Sequence, residues 1–149
     1  MGRRAAGVGD RHRPRTATPE MGQHAVDRLV DLATHHNYTA LQVKYAGGEP
    51  TLNLPAVWAT HDHAVRRTAE AGLGLQEVLL TNGVDLSDAT LSLVAQAGMG
   101  LVISLDGGPA HHSQTRNRPD GSRTYDSVVS TIDRALAHGL RVDISITLT

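Results

Sequence analysis

Gly47, Gly48, Glu49 and Pro50 stand together at the end of a short strand-like run. Two successive glycines expose bare peptide groups that a ligand can approach closely. Glu49 carries a charge able to hold a ligand ammonium by a charge-assisted hydrogen bond. Asn82, before Gly83, ends a second apolar run, and Ser104 and Asp106 end a third. Polar groups at such ends can converge on a carboxylate or a ribose. Arg116 offers the planar fork that binds a carboxylate through two nitrogens. Singly, each residue has a plain structural use. Glycine pairs make tight turns, Ser, Asp and Asn close loops, and surface Glu and Arg are solvated. Jointly, they fall at successive strand ends on one rim, which favours a ligand site. None is assigned a catalytic role, because no Ser-His-Asp order or acid/base carboxylate pair offers a mechanism. His61 and His63 diverge on a helix and lack a third metal ligand. His35 and His36 also face apart.

The elements that position these residues alternate. Thr18-Pro19-Glu20 is a helix start: a capping Thr, Pro in the first turn and an acid near the positive end of the dipole. Met21, Ala25, Leu29, Leu32 and Ala33 follow with helical spacing, with Val26 and Val30, and the helix fades near His35-His36-Asn37. Leu41, Val43 and Tyr45 alternate with Gln42, Lys44 and Ala46, the period of a pleated strand. Pro55 to Ala71 reads as a helix stopped by Gly72, with Ala56, Val57, Thr60, Ala64, Val65 and Thr68 inward. Glu77–Thr81 is the next strand, with Glu77 at the end away from the rim. Asn82-Gly83 suits a hairpin in isolation. The helical pattern of Asp85 to Ala97, capped by Ser87 or Asp88, makes it a strand-to-helix junction instead. Met99–Leu105 is a third strand. A polar loop then runs to about Ser122, holding His111, His112, Arg116 and Arg118. Thr124 to His138 is a helix with Val128, Val129, Ile132 and Leu136 inward. Leu140–Thr149 closes on a strand with Val142, Ile144, Ile146 and Leu148 on one face. Strands separated by helices imply a parallel sheet. Its two exposed edges would invite self-association.

Met1 to about Ala17 reads as a disordered basic tail, with Arg3, Arg4, Arg11, Arg13 and Arg15 among glycines and no apolar periodicity. Residues 18–149 form the folded domain. A chain of 149 residues is short for a complete eight-unit barrel. The net charge of −1 gives no general attraction to nucleic acid or anionic membrane, and no apolar run reaches a membrane-spanning length. The absence of cysteine excludes disulfides and thiolate metal sites within this sequence and suits the cytoplasm. With no Phe and one Trp, aliphatic residues must fill the core.

The ordered series Gly47-Gly48-Glu49-Pro50, Leu80-Thr81-Asn82-Gly83, Ser104-Leu105-Asp106-Gly107, then His111, Arg116 and Thr124-Tyr125-Asp126 resembles the radical S-adenosylmethionine (AdoMet) enzymes. Within them it is closest in pattern to the SPASM branch of peptide maturases and anaerobic sulfatase-maturating enzymes. The resemblance covers roughly Thr18 to Thr149. It implies an α/β fold, a partial (β/α) barrel related to the TIM barrel, with about four parallel strands. It implies AdoMet as cofactor, with the glycine-glycine-glutamate segment at its amino group, and a peptide or protein substrate. One departure is severe. The family holds a four-iron, four-sulfur cluster on C-x-x-x-C-x-x-C, and this chain has no cysteine. The expectation is therefore a fragment of a peptide-modifying enzyme, inactive alone. The alternatives are a cysteine-free module binding AdoMet or a peptide, and a phosphate- or nucleotide-binding α/β domain using Gly47-Gly48 near a helix start.

Overall fold

The computed structural model of the chain describes residues 16–147. The expected tail therefore lies outside the described residues up to Arg15. Of its remainder, Ala17 accepts a hydrogen bond from Asn53 Nδ2 at 2.8 Å through its carbonyl. α1 (Pro19–His35) is capped by Thr18, whose Oγ1 accepts from the Met21 amide. β1 (Ala40–Tyr45) follows, then a 3-10 turn (Pro50–Asn53) and α2 (Leu54–Glu70). Next come β2 (Gly74–Thr81), α3 (Asp88–Gln96) and β3 (Gly100–Ser104). A short α4 (Pro109–Thr115), α5 (Tyr125–Ala137) and β4 (Val142–Ser145) complete the described chain.

The four strands form one parallel sheet in the order β1-β2-β3-β4. Asn82-Gly83 is indeed a strand-to-helix junction, and Ser87 caps α3 by accepting from the Thr90 amide at 3.1 Å. Because strand side chains alternate, Tyr45, Leu79, Leu101 and Ile103 share the helix-covered face. With Val57, Leu91, Val94 and Val128 they make the main core, aliphatic as the composition demands. The opposite face carries Gln42, Lys44, Val78, Leu80, Val102, Ser104 and Asp143. Among the described residues no second layer covers it.

Several expectations require correction. α1 buries Val26, Val30 and Ala33 but leaves Met21, Leu29 and Leu32 exposed. The reason is its neighbour: α1 packs along α2, so the buried stripe is the narrow one facing that helix. The closest approach is at Gly22, where an added Cβ would lie 1.9 Å from Thr60 Oγ1. Gly22→Ala is expected to destabilise the fold by about 1–3 kcal/mol, as overpacking does. Urea denaturation reads this directly, and an unchanged midpoint would show that the helices are farther apart. Val65 on α2 and Leu136 on α5 are likewise exposed. The polar stretch after β3 is not all loop. Gly108-Pro109 starts α4, with proline in the first turn where no N–H is needed.

β2 begins at Gly74, so Glu77 sits mid-strand. It is buried, accepting from the Tyr45 hydroxyl and bonding His61 Nδ1 at 2.7 Å. Burial, and then the neighbouring Glu77, push the Tyr45 phenol well above its ordinary pKa. β4 spans only Val142–Ser145, and Ile144 and Ile146 remain exposed because no further strand or helix flanks this edge among the described residues.

Candidate functional site

Parallel strands bring all four carboxyl ends to one rim, where α/β folds bind ligands. Glu49 organises that rim. It is half-buried and caps the 3-10 turn. Its Oε1 accepts from the Thr51 amide (3.2 Å), Thr51 Oγ1 (2.7 Å) and Thr81 Oγ1 (2.8 Å). Its Oε2 accepts from the Asn82 amide at 2.7 Å. The carboxylate therefore ties the loop after β1 to the loop after β2. Oε2, with one donor, keeps acceptor capacity for a ligand cation; Oε1 does not.

Gly47 has φ 135°, open to glycine and strained for other residues. Gly48 differs: its φ is not in that region, and a Cβ built there meets nothing within 4 Å. Neither the fold's backbone nor its packing demands glycine at 48. Gly47, Gly48 and Glu49 line a cleft of about 740 Å³ between α1 and β1, with Ala25, Leu29 and Tyr45 on its walls. Glu49 also borders a second cleft of about 460 Å³, lined by Asn82, Ser87, Arg118 and Thr124. Its carboxylate thus stands on the wall between the two.

Asn82 Oδ1 accepts from the Val84 amide at 2.8 Å, turning the chain into α3. Gly83 makes that turn at φ 72°, against the fully buried Ile103. Ser104 ends β3 on the open face, half-buried, between the two halves of the rim.

The other half is a closed clamp. Asp106 accepts from Arg116 Nε at 2.5 Å, from the Thr147 amide at 2.8 Å and from Thr115 Oγ1 at 3.2 Å. The Arg116 contact above all, then the Thr147 amide, hold the Asp106 carboxyl down to about 2. Arg116 also donates to Thr147 Oγ1 at 3.1 Å. Its guanidinium is thereby engaged within the fold, joining the ends of β3, α4 and β4. The structure thus brings Glu49 to Asn82 and Asp106 to Arg116, with no direct bond between the two pairs.

Beneath the clamp lies His112. Of the two histidines expected in a polar loop, His111 is exposed, whereas His112 is 1% exposed. His112 Nδ1 accepts from the Asp106 amide at 3.3 Å, so the proton sits on Nε2, 3.0 Å from Thr124 Oγ1. Thr124 in turn donates to the Arg116 carbonyl at 2.5 Å. Burial, then the Arg116 charge, lower the His112 pKa, with Asp106 opposing. Reading Pro109 as a helix start would have put one of the two adjacent histidines inward.

Both groups set the acid sensitivity of the fold. Asp106 has a folded pKa of about 2 against an ordinary 3.8, so its contribution is complete above the ordinary value and is lost as pH falls towards 2. The folded His112 takes up a proton at lower pH than the unfolded chain, whose ordinary value is about 6.5, so its contribution falls as pH drops below that value. Urea midpoints are expected to decline in two stages on acidification. Asp106→Asn should flatten the lower stage and His112→Gln the upper. Identical profiles for Asp106→Asn and the unmodified chain would contradict this assignment.

Among the described residues, no group of three His, Cys, Asp or Glu side chains could hold a metal ion. With no cysteine in the sequence, the residues present do not fit an iron–sulfur cluster. What the rim does offer is the peptide groups of Gly47-Gly48, open space beside Gly48 and remaining acceptor capacity at Glu49 Oε2, a set suited to a small ligand carrying an ammonium group.

No family model matches this sequence, and no curated protein does. Solved structures do. Native anSMEcpe with bound AdoMet and Kp18Cys peptide superposes with a TM-score of 0.74 at 20% identity, over 84% of this chain and 33% of that one. The complex with Cp18Cys peptide gives 0.73 at 20% identity, over 84% and 34%. Native anSMEcpe with bound AdoMet gives 0.69 at 18%, over 81% and 33%. The fold is a partial radical SAM-type β/α core. The chain spans about a third of the length of the anaerobic sulfatase-maturating enzyme structures that it matches. No helix among its described residues is long and apolar enough to cross a membrane.

Proposed function

We propose that this chain is the AdoMet-binding part of a radical SAM-type, SPASM-branch enzyme that modifies peptides, acts in the cytoplasm, and does not by itself cleave AdoMet. The observation that carries the reading is Gly48: a glycine the fold does not need, on a loop that Glu49 fixes, at the rim of a fold shared with AdoMet-bound structures. Gly47 and Gly48 would present peptide groups to the methionine end of AdoMet. Glu49 Oε2 would accept from its ammonium. Asn82 Nδ2 and Ser104 Oγ, on the next two strand ends, would orient its polar groups. Asp106 and Arg116 would act from a distance by fixing the end of β3. When bound, AdoMet supplies a sulfonium and, in radical chemistry, a source of a deoxyadenosyl radical. Reducing that sulfonium calls for a cluster whose thiolates this chain lacks, so no catalytic step is assigned to its residues. The matched enzyme's bound peptides support a peptide as substrate. A cysteine-free sequence is compatible with a reducing compartment.

Calorimetry with AdoMet tests the reading. The unmodified chain should bind measurably. Gly48→Val should weaken binding by roughly tenfold or more, on the order of one displaced polar contact, while leaving the urea midpoint unchanged. No binding by the unmodified chain, or binding indifferent to Gly48→Val, would sink it.

A further inference from the structure

The second cleft beside Glu49 has the chain between α4 and α5 as one wall. There Asn117 and Arg123 pair as an antiparallel bridge, and the residues between them fold back on themselves. The Arg118 amide donates to the Ser122 carbonyl at 3.0 Å, and the Gly121 amide to the Arg118 carbonyl at 2.9 Å. Asp120 Oδ1 accepts from the Ser122 amide at 2.9 Å. Pro119 fixes one corner, and Gly121 turns the other at φ 82°. Residues 117–123 are thus a small hairpin held together by its own bonds.

Its two feet are pinned. The Arg116 side chain is held by Asp106, and the Arg116 carbonyl accepts from Thr124 Oγ1, which the buried His112 supports. Its tip is held more weakly. Arg118 is half-buried and the other hairpin residues are exposed. Among the described residues, the hairpin's hydrogen bonds to the junction between β2 and α3 are those of Arg118 alone. Its guanidinium forks onto Asp85, Nη1 to Oδ2 at 2.5 Å and Nη2 to Oδ1 at 2.8 Å. Asp85 stands at φ 58°, a left-handed backbone that aspartate tolerates better than most residues. Ser127 of α5 lies close to Asp85, and the Asp120 charge acts on Arg118, so parting the pair isolates neither. Even a forked pair is weak at a surface and is screened by salt. A unit with firm feet, exposed residues and one weak tie at its tip opens at little cost.

We propose that residues 117–123 are a strap that swings about its feet at Arg116 and Thr124, and that the Arg118–Asp85 pair latches it across the second cleft. Closed, Asn117, Arg118 and Pro119 wall the 460 Å³ space that Glu49, Asn82 and Thr90 also line. Open, the strap exposes that space to a ligand. It therefore sets access to Glu49 from the cleft that the glycine pair does not line. The inference holds whatever ligand the rim takes.

A single thiol reads the strap directly, because the chain has no cysteine. Thr90→Cys puts one on the wall of the cleft, where Thr90 is half-buried. Its rate of alkylation by a bulky maleimide, in the whole chain, follows the population of the open strap. Asp85→Asn removes the charge but keeps a residue suited to the left-handed backbone. Arg118→Gln removes the other partner. Each should raise the rate about twofold to fivefold, the range of an exposed ion pair. The two together should do no more than either alone, since both cut one contact. Salt at about 1 M should speed labelling of the latched chain and leave the unlatched variants unchanged. Val94→Cys, fully buried on the same helix, controls for unfolding, and its labelling should not respond. Labelling of Thr90→Cys indifferent to both substitutions, additive effects of the two, or equal acceleration at Val94→Cys would overturn the proposal.

Discussion

Glu49→Ala is expected to lower the unfolding free energy by about 2–4 kcal/mol. Four donors lose their acceptor at once: the Thr51 amide and hydroxyl, the Thr81 hydroxyl and the Asn82 amide. Hydrogen bonds to a charged group are each worth about 1.5–3 kcal/mol when buried. Glu49 is only half-buried, and water can reach part of the vacated site, so the sum is far below the four-bond maximum. The melting temperature should drop by roughly 5–15 °C for a domain of this size. Glu49→Gln should fall between. Its amide must turn an N–H₂ towards either the Asn82 amide or the three donors at Oε1, so at least one contact is lost. The same feature makes Glu49→Gln an ambiguous probe of ligand pairing, since it loosens the loop as well. A Glu49→Ala variant as stable as the unmodified chain would show that the two loops are held by something else.

Gly83→Ala should destabilise by a similar amount, about 2–4 kcal/mol. Two effects add. At φ 72° a side chain occupies the left-handed region, which costs about 1–2 kcal/mol. The new Cβ would also lie 2.7 Å from Ile103 Cγ2. Ile103 is fully buried in the core and has no room to yield. Gly121 separates the two terms. It has φ 82°, but a Cβ there meets nothing within 4 Å. Gly121→Ala should therefore show only the conformational part. Equal midpoints for the two variants would mean that the contact with Ile103 is relieved at no cost.

Much of the fold was legible because its signals are local. Thr18-Pro19 and Gly72 mark helix ends by backbone chemistry alone, and the alternation through Leu41, Val43 and Tyr45 sets the sheet face. What failed depended on neighbours far along the chain. Met21, Leu29 and Leu32 share helical spacing with Val26 and Val30, and only the position of α2 decides which stripe is buried. Ile144 and Ile146 look like core residues until the sheet is seen to end beside them. For the site, the residue types and their rim were readable, but their bonding was not. Glu49 meets Asn82 across 33 residues and Asp106 meets Thr147 across 41, separations at which no sequence pattern reports contact. The threonines that complete both clusters, Thr51, Thr81, Thr115 and Thr147, sit at or near the ends of elements, where a hydroxyl does not announce its partner in the sequence. His112 was hidden by its neighbour His111.

The most direct test of the rim as an AdoMet site is amide chemical-shift mapping during AdoMet titration of the intact chain. The expected result is a saturable set of shifts at Gly47, Gly48, Glu49, Asn82 and Ser104. Gly72 and Gly139, which follow the C-terminal ends of α2 and α5 and precede the starts of β2 and β4, at the end of the sheet opposite the rim, should stay still. Saturable shifts that leave the Gly47 and Gly48 amides unmoved, or no shifts at all, would contradict the assignment and leave the glycine pair as a turn.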